Sequence, residues 1–139
     1  MNLKYLLDTN VISEPLRPKP NAKVLARLKR HGDEVALPSI VWHELWFGCE
    51  RLPVSAKRAA IEEYLTNVIR PSMPILPYDE RAALWHATER VRLAAQGKTP
   101  PFADGQIIAI AKANDLILVT FNRADYSNFW EVEIEDWSK

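Results

Sequence analysis

"DGQIIAIAKANDLILVT", residues 104 to 120, sets a helix directly before a strand. Ile107, Ile108 and Ala111 fall on one side at helical spacing, and Asp104 opens the helix on that side. The helix runs to about Asn114. Leu116 to Val119 is then an unbroken apolar run, which reads as a strand buried on both faces. Strands of that kind belong to parallel sheets covered by helices.

The alternation continues in both directions. Upstream, a helix over about 79 to 96 has Leu84, Ala87, Thr88 and Val91 as its inner stripe, and Gly97 ends it before a loop from Lys98 to Pro101. Ile75-Leu76 is a short strand, and Pro71 and Pro74 bracket the exit of a helix over about 55 to 69. That helix carries Ile61, Leu65, Val68 and Ile69 at helical spacing. Val35 to Leu37 is a strand, and Ser39 can cap a helix reaching about Glu50. A basic helix over about 21 to 31 turns Val24, Leu25 and Leu28 inward, with Gly32 at its end. Strand one covers about 3 to 8, followed by a helical turn near 10 to 14 that stops against Pro15, Pro18 and Pro20. Downstream, Val132 to Ile134 is a last short strand. Strands alternating with helices predict an α/β fold with a mainly parallel central sheet.

The 139 residues fit a single domain, 1–139, with 47% hydrophobic and 26% charged residues. No apolar run approaches a membrane span, and Met1-Asn2-Leu3-Lys4 leads into a strand rather than a secretory signal. The single Cys49 excludes an internal disulfide framework. These features predict a cytoplasmic protein. With 18 basic and 18 acidic residues the chain is formally neutral, unlike a general nucleic-acid binder. The charges are unevenly spread, however. No acid lies between Glu14 and Asp33, where Arg17, Lys19, Lys23, Arg27, Lys29 and Arg30 all fall. That run is either a solvated helix face or a phosphate-contacting flank.

Four acids carry the functional argument. Asp8 ends strand one, where ligands bind in open α/β sheets, though it could equally cap the turn that follows. Glu44 falls among Ile40, Phe47 and Gly48 on the helical wheel. Buried there, it would need a basic partner, a proton or a metal. Asp104 is either an N-cap or an acid facing the sheet. Asp125 follows the strand 116–119 through Thr120 to Ala124, as a second strand-end acid or a surface loop acid. As a set they would converge on one rim of the sheet, and crowded carboxylates repel. A hard divalent cation, magnesium or manganese, relieves that repulsion. The chemistry such a site supports is phosphodiester hydrolysis, with one ion or with two about 4 Å apart.

The segments "LLDTNVIS" (6–13), "HELWFG" (43–48), "DGQIIAIAKANDLILVT" (104–120) and "NRADY" (122–126) together resemble a PIN-domain ribonuclease toxin. The branch is the VapC toxins of type II toxin–antitoxin pairs, with their FitB-like relatives, and the likeness covers essentially the whole chain. It implies a three-layer α/β/α sandwich. It also implies an acidic quartet of Asp8, Glu44, Asp104 and Asp125, with Asp8 and Asp104 as the main metal ligands and the other two acting directly or through water. Thr120 and Asn122 match polar positions on the same rim, and Thr9 and Asn10 match positions at the strand end. The implied activity is metal-dependent cleavage of RNA, often tRNA or ribosomal RNA. The implied assembly is a homodimer whose acidic pocket is blocked by a small DNA-binding antitoxin, so that DNA is reached only through that partner. Two residues depart from the pattern: Tyr126 stands where Phe is more usual, and Phe121 where Arg or another polar residue is common.

Other readings carry less of the sequence. His43-Glu44 would need a second His at position 47 to form a zinc-protease helix, and Phe47 stands there. The three histidines lack metal-ligand spacing, and four glycines form no phosphate-cradling loop. Cys49 reads as core. Trp42 and Trp46, one turn apart, are either core or an apolar patch covered by another chain. Two rival functions remain. One is a PIN-domain RNA-processing nuclease without a toxin role. The other is a weakly catalytic module acting with a DNA-binding partner in transcriptional control, which the four intact acids argue against.

Overall fold

Tyr5–Leu7 (β1), Val35–Pro38 (β2), Ile75–Leu76 (β3), Ile117–Val119 (β4) and Ile134–Glu135 (β5) pair in parallel throughout, in the order β3-β2-β1-β4-β5. The computed structural model describes residues 2–139, so Met1 of the expected strand approach lies outside the described residues. The register sets Leu6 beside Ala36 on one side and Leu118 on the other. Tyr5, Leu6 and Leu7 are all buried, as expected for a central strand covered on both faces. Helices flank the sheet in the expected three-layer arrangement: Thr9–Ile12 (α1), Ala22–Arg30 (α2), Ser39–Glu50 (α3), Ala56–Glu63 (α4), Arg70–Ser72 (α5), Glu80–Ala95 (α6), Phe102–Ala113 (α7) and Arg123–Tyr126 (α8). No helix among the described residues is long and apolar enough to cross a membrane.

The strand order fixes where a site can form. The chain steps from β1 outward to β2 and β3, then crosses to the other side of β1 for β4 and β5. The sheet therefore switches direction between β1 and β4, and the crevice beyond their carboxyl ends is the natural ligand position. Asp8 and Thr120 are the residues that follow those two strands.

Several sequence expectations are corrected. The inner stripe of α6 is Ala82, His86, Glu89 and Leu93, whereas Leu84 and Val91 are 71% and 72% exposed. Hydropathy chose the wrong face because the buried face contains two polar residues that the fold satisfies. The Tyr78 hydroxyl and His86 Nδ1 lie 2.8 Å apart. Glu89 accepts two hydrogen bonds from Arg92 and one from the Trp130 N–H, each at 2.8 Å. Buried polar groups with partners escape most of the desolvation penalty.

Val68 is also exposed, because Tyr64–Ile69 winds as a π-helix between α4 and α5. The wider turn keeps Leu65 and Ile69 inward and rotates Val68 out. It also admits Pro71 into the final turn rather than after it, where an α-turn would press the proline ring on the carbonyl four residues back. Ser39 is the first residue of α3, not its cap: Pro38 precedes it and the end carries no side-chain cap. Asp104 is likewise the third residue of α7, behind Pro101, and not an N-cap. Pro15 sits within a 3₁₀ turn, Glu14–Leu16, instead of ending the preceding helical turn from outside. The last strand begins at Ile134, later than Val132. Gly97, at φ +74°, does end α6, with Lys98 N–H donating to Leu93 O and Gly97 N–H to Ala94 O.

Candidate active site

Asp8 is buried at the carboxyl end of β1, and its N–H donates to Val119 O at 3.0 Å. Pairing with β4 thus continues up to the acid itself. One carboxylate oxygen accepts the Thr9 N–H at 2.8 Å. The other accepts the Thr120 hydroxyl at 2.8 Å and the Tyr126 hydroxyl at 3.2 Å. Asp8 therefore caps α1, as one sequence reading had it, and its bonds also hold it in a fixed orientation over the sheet edge. Thr120 is fully buried, and its hydroxyl oxygen accepts the Asn122 N–H at 3.1 Å. This chain of donors ties the strand end at β1 to the turn after β4.

Asp104 lies half-buried in the first turn of α7. Burial raises its carboxyl above the ordinary 3.8, and Asp8, Asp125 and Glu44 raise it further, in that order. The nearby Tyr126 hydroxyl opposes them by favouring the charged form. Tyr126 is itself buried, and its hydroxyl is pushed far above the ordinary 10 by burial first and by Asp8 and Asp104 next. It therefore remains a protonated donor between two acids. The four acids singled out in the sequence share one electrostatic neighbourhood centred on Asp104.

Their settings differ. Glu44 on α3 is exposed and makes no hydrogen bond or ion pair among the described residues. The expectation that it would be a buried acid in need of a partner is corrected, because Phe47 on the same side is itself 59% exposed. That face of α3 opens to solvent. Asp125 on α8 is also exposed. Of the supporting residues, Thr9 and Thr120 bond Asp8 directly, and Asn122 acts through its backbone N–H. Asn10 is exposed, with no side-chain hydrogen bond among the described residues.

Among the described residues, no three acid, histidine or cysteine side chains close into a ready-made metal cage. The donor set nonetheless fits a hard divalent cation. Every donor is a carboxylate oxygen, and the charges that raise Asp104 are all acids, so their repulsion would be relieved by an ion. Rival chemistry finds no support. His43 is exposed and stacks on Phe47 at 6.1 Å, and it belongs to no group of three metal-ligating side chains among the described residues. Cys49 is buried, with its thiol pushed up by burial, which suits core packing and not nucleophilic attack. Trp42 and Trp46 are half-buried against the core and meet edge-to-face at 5.9 Å.

Two features escaped the sequence reading. The Tyr126 hydroxyl bonds the site, and the signal was present as the departure from Phe at that position. Gly105 is the second: a side chain added there would meet His86 Nε2 at 2.0 Å, so glycine permits the close packing of α6 on α7 beside Asp104. A glycine inside a helical pattern is the signal that could have found it.

The PIN domain family model matches residues 5–128. A curated relative, Toxin FitB of Neisseria gonorrhoeae, is 39% identical over 132 residues, covering 93% of this chain and 93% of its own. Ribonuclease VapC2 of Haemophilus influenzae is 29% identical over 136 residues, covering 97% and 98%. Among solved structures, DNA-bound VapBC from Salmonella typhimurium superposes with a TM-score of 0.84 at 27% identity, covering 97% of this chain and 98% of that one.

Proposed function

The chain belongs to the PIN-domain family, and from that premise we propose that it is a metal-dependent endoribonuclease, the toxin of a type II toxin–antitoxin pair. The observation that carries this reading is the position of Asp104 near the switch point of the sheet, where burial raises its carboxyl and Asp8, Asp125 and Glu44 raise it further. Relatives named as a toxin and as a ribonuclease, each aligned over nearly their whole length, support the same reading. It takes residues 1–139 as one nuclease domain working in the cytoplasm.

Asp8 and Asp104 would hold the ion, magnesium or manganese, with Glu44 and Asp125 completing the acidic pocket directly or through water. When bound, the metal offsets charge on the phosphate and lowers the pKa of the attacking water. Thr120 and Tyr126 keep the Asp8 carboxylate in one orientation, so it is preorganised before RNA arrives. Thr9 closes the strand end through its N–H, and Asn122 fixes the Thr120 hydroxyl. Asn10, exposed beside them, would act from the rim. The substrate class is structured RNA such as tRNA or ribosomal RNA.

The antitoxin would present a basic side chain to the pocket, and Arg suits this best because its planar guanidinium pairs bidentately with carboxylates. DNA would be reached only through that partner. A homodimer is the proposed assembly, supported by Leu84 and Val91, which leave an apolar stripe of α6 uncovered.

The test is cleavage of total RNA by wild type and by Asp8→Asn, each with magnesium and with excess chelator. Cleavage is expected only from wild type with metal, with a loss of at least a hundredfold in the variant. Undiminished cleavage by Asp8→Asn, or by wild type in chelator, contradicts the metal-dependent reading.

A further inference from the structure

Three surface hollows share lining residues, and the first of them reaches the acidic pocket at Asp125. The first, about 590 Å³, is lined by Phe121, Asn122, Asp125 and Lys139 among others. It shares Phe121 with a second hollow that holds Glu14, Arg17 and Lys19. It shares Lys139 with a third, lined by Lys23, Arg27 and Arg30 of α2. The shared residues make one trough that starts at Asp125 and ends on the basic helix.

The charges along it are unevenly neutralised. Asp136 in the first hollow accepts the Ser138 N–H and hydroxyl. Glu14 in the second is buried and accepts the Asn21 N–H at 2.8 Å, with Arg17 at 3.4 Å. Both acids are occupied within the fold. Arg27 reaches Glu135 at 4.0 Å. Lys19, Lys23, Arg30 and Lys139 have no acidic partner among the described residues. Lys23, Arg27 and Arg30 fall at i, i+4 and i+7, on one face of α2. On a chain of zero net charge, this row of cations, of which only Arg27 has an acidic partner among the described residues, is a local feature and not a consequence of composition.

We infer that this trough is the path of the RNA backbone, with Lys139, Lys23 and Arg30 contacting phosphates on one side of the scissile bond. The inference rests on the ribonuclease reading for its substrate, and it assigns α2 a role that the acidic pocket does not supply. A pocket of four acids repels a polyanion until metal is bound. Cations beside it hold the strand in register while the acids act on one phosphate.

The experiment is equilibrium binding of a fluorescein-labelled single-stranded RNA of mixed sequence, followed by anisotropy across a salt series in magnesium. The background is Asp104→Asn, so that the strand is not cut. Lys23→Ala/Arg30→Ala/Lys139→Ala is compared with a control, Lys4→Ala/Lys57→Ala/Arg70→Ala, whose residues lie outside the three hollows. The trough variant is expected to bind at least tenfold more weakly. Its plot of log Kd against log salt is expected to flatten by about 2, near 0.7 per phosphate contact for single strands. The control keeps the parent's affinity and slope. Equal binding and slope in the trough variant, or an equal loss in the control, overturns the inference. Failure of the nuclease reading would look different: RNA would bind along the trough, yet wild type would not cut it with metal present.

Discussion

Tyr126 is the residue where this chain adds something to its site. Its hydroxyl donates to Asp8 at 3.2 Å and favours the charged form of Asp104. Tyr126→Phe removes both effects at nearly constant shape. A hydrogen bond to a charged group contributes about 1.5–3 kcal/mol, so cleavage is expected to fall by roughly tenfold or more. The sign of the pH effect follows from the direction of the shift. Without the hydroxyl the Asp104 carboxyl rises further, so the acid limb of the pH–rate profile should move to higher pH. A slower variant with an unmoved acid limb would mean that Tyr126 acts through packing alone. At this scale Asp8 and Asp125 stood out in the sequence because each follows a strand end and Asp104 because it lies in the first turn of a helix, whereas Glu44, in the middle of α3, stood out only by its place on the helical wheel. The hydroxyls of Thr120 and Tyr126 were harder to place, since their bonds to Asp8 span 112 and 118 residues of sequence. Local patterning does not encode which distant oxygen a hydroxyl will meet.

Among the elements, α6 and α7 position Asp104. Their contact is close enough that Gly105→Ala would place a methyl group against the His86 ring. His86 is 2% exposed and bonded to Tyr78, so it cannot swing away freely. Overpacking of this kind costs about 1–3 kcal/mol, and thermal unfolding should show a melting temperature lower by several degrees. An unchanged melting temperature would show that the helices separate without penalty. The opposite face of α6 makes a different prediction. Leu84→Asp/Val91→Asp alters only exposed positions, so the fold should persist while a dimer dissociates. Sedimentation or light scattering reads the change; a variant of unchanged assembly state would remove α6 from the interface. Sequence patterning read this helix inside out. It weighs Leu and Val above His and Glu, and cannot see the Arg92 and Tyr78 partners that make His86 and Glu89 suitable for burial. The π-helix at Tyr64–Ile69 was invisible for a related reason, because the helical period was assumed constant across it.

Over the whole molecule, the parallel α/β architecture was legible because buried strands such as Leu6-Leu7 and Leu118-Val119 carry no polar alternation. The strand order was not, since no local signal says that the chain crosses β1 after β3. That crossing brings Asp8, on the first strand, beside Thr120, on the fourth, and so makes one pocket from distant segments. The central claim is that the pocket holds like charges in repulsion until a cation relieves them. Asp104 is raised above 3.8 in the fold, so its stabilising contribution is present at low pH and lost as pH rises through the raised value. Asp104→Asn removes that charge. It also removes a favourable interaction with the α7 helix dipole, about 0.3–1 kcal/mol, which tempers the gain. The direct measurement is thermal unfolding at neutral pH of wild type and Asp104→Asn, each in chelator and in excess magnesium. In chelator the variant should melt no lower than wild type. Magnesium should raise wild type, by about 2.7 kcal/mol at a hundredfold excess over Kd, and raise the variant far less. A variant that melts several degrees below wild type in chelator, with magnesium leaving wild type unchanged, would contradict the claim and make Asp104 a structural acid.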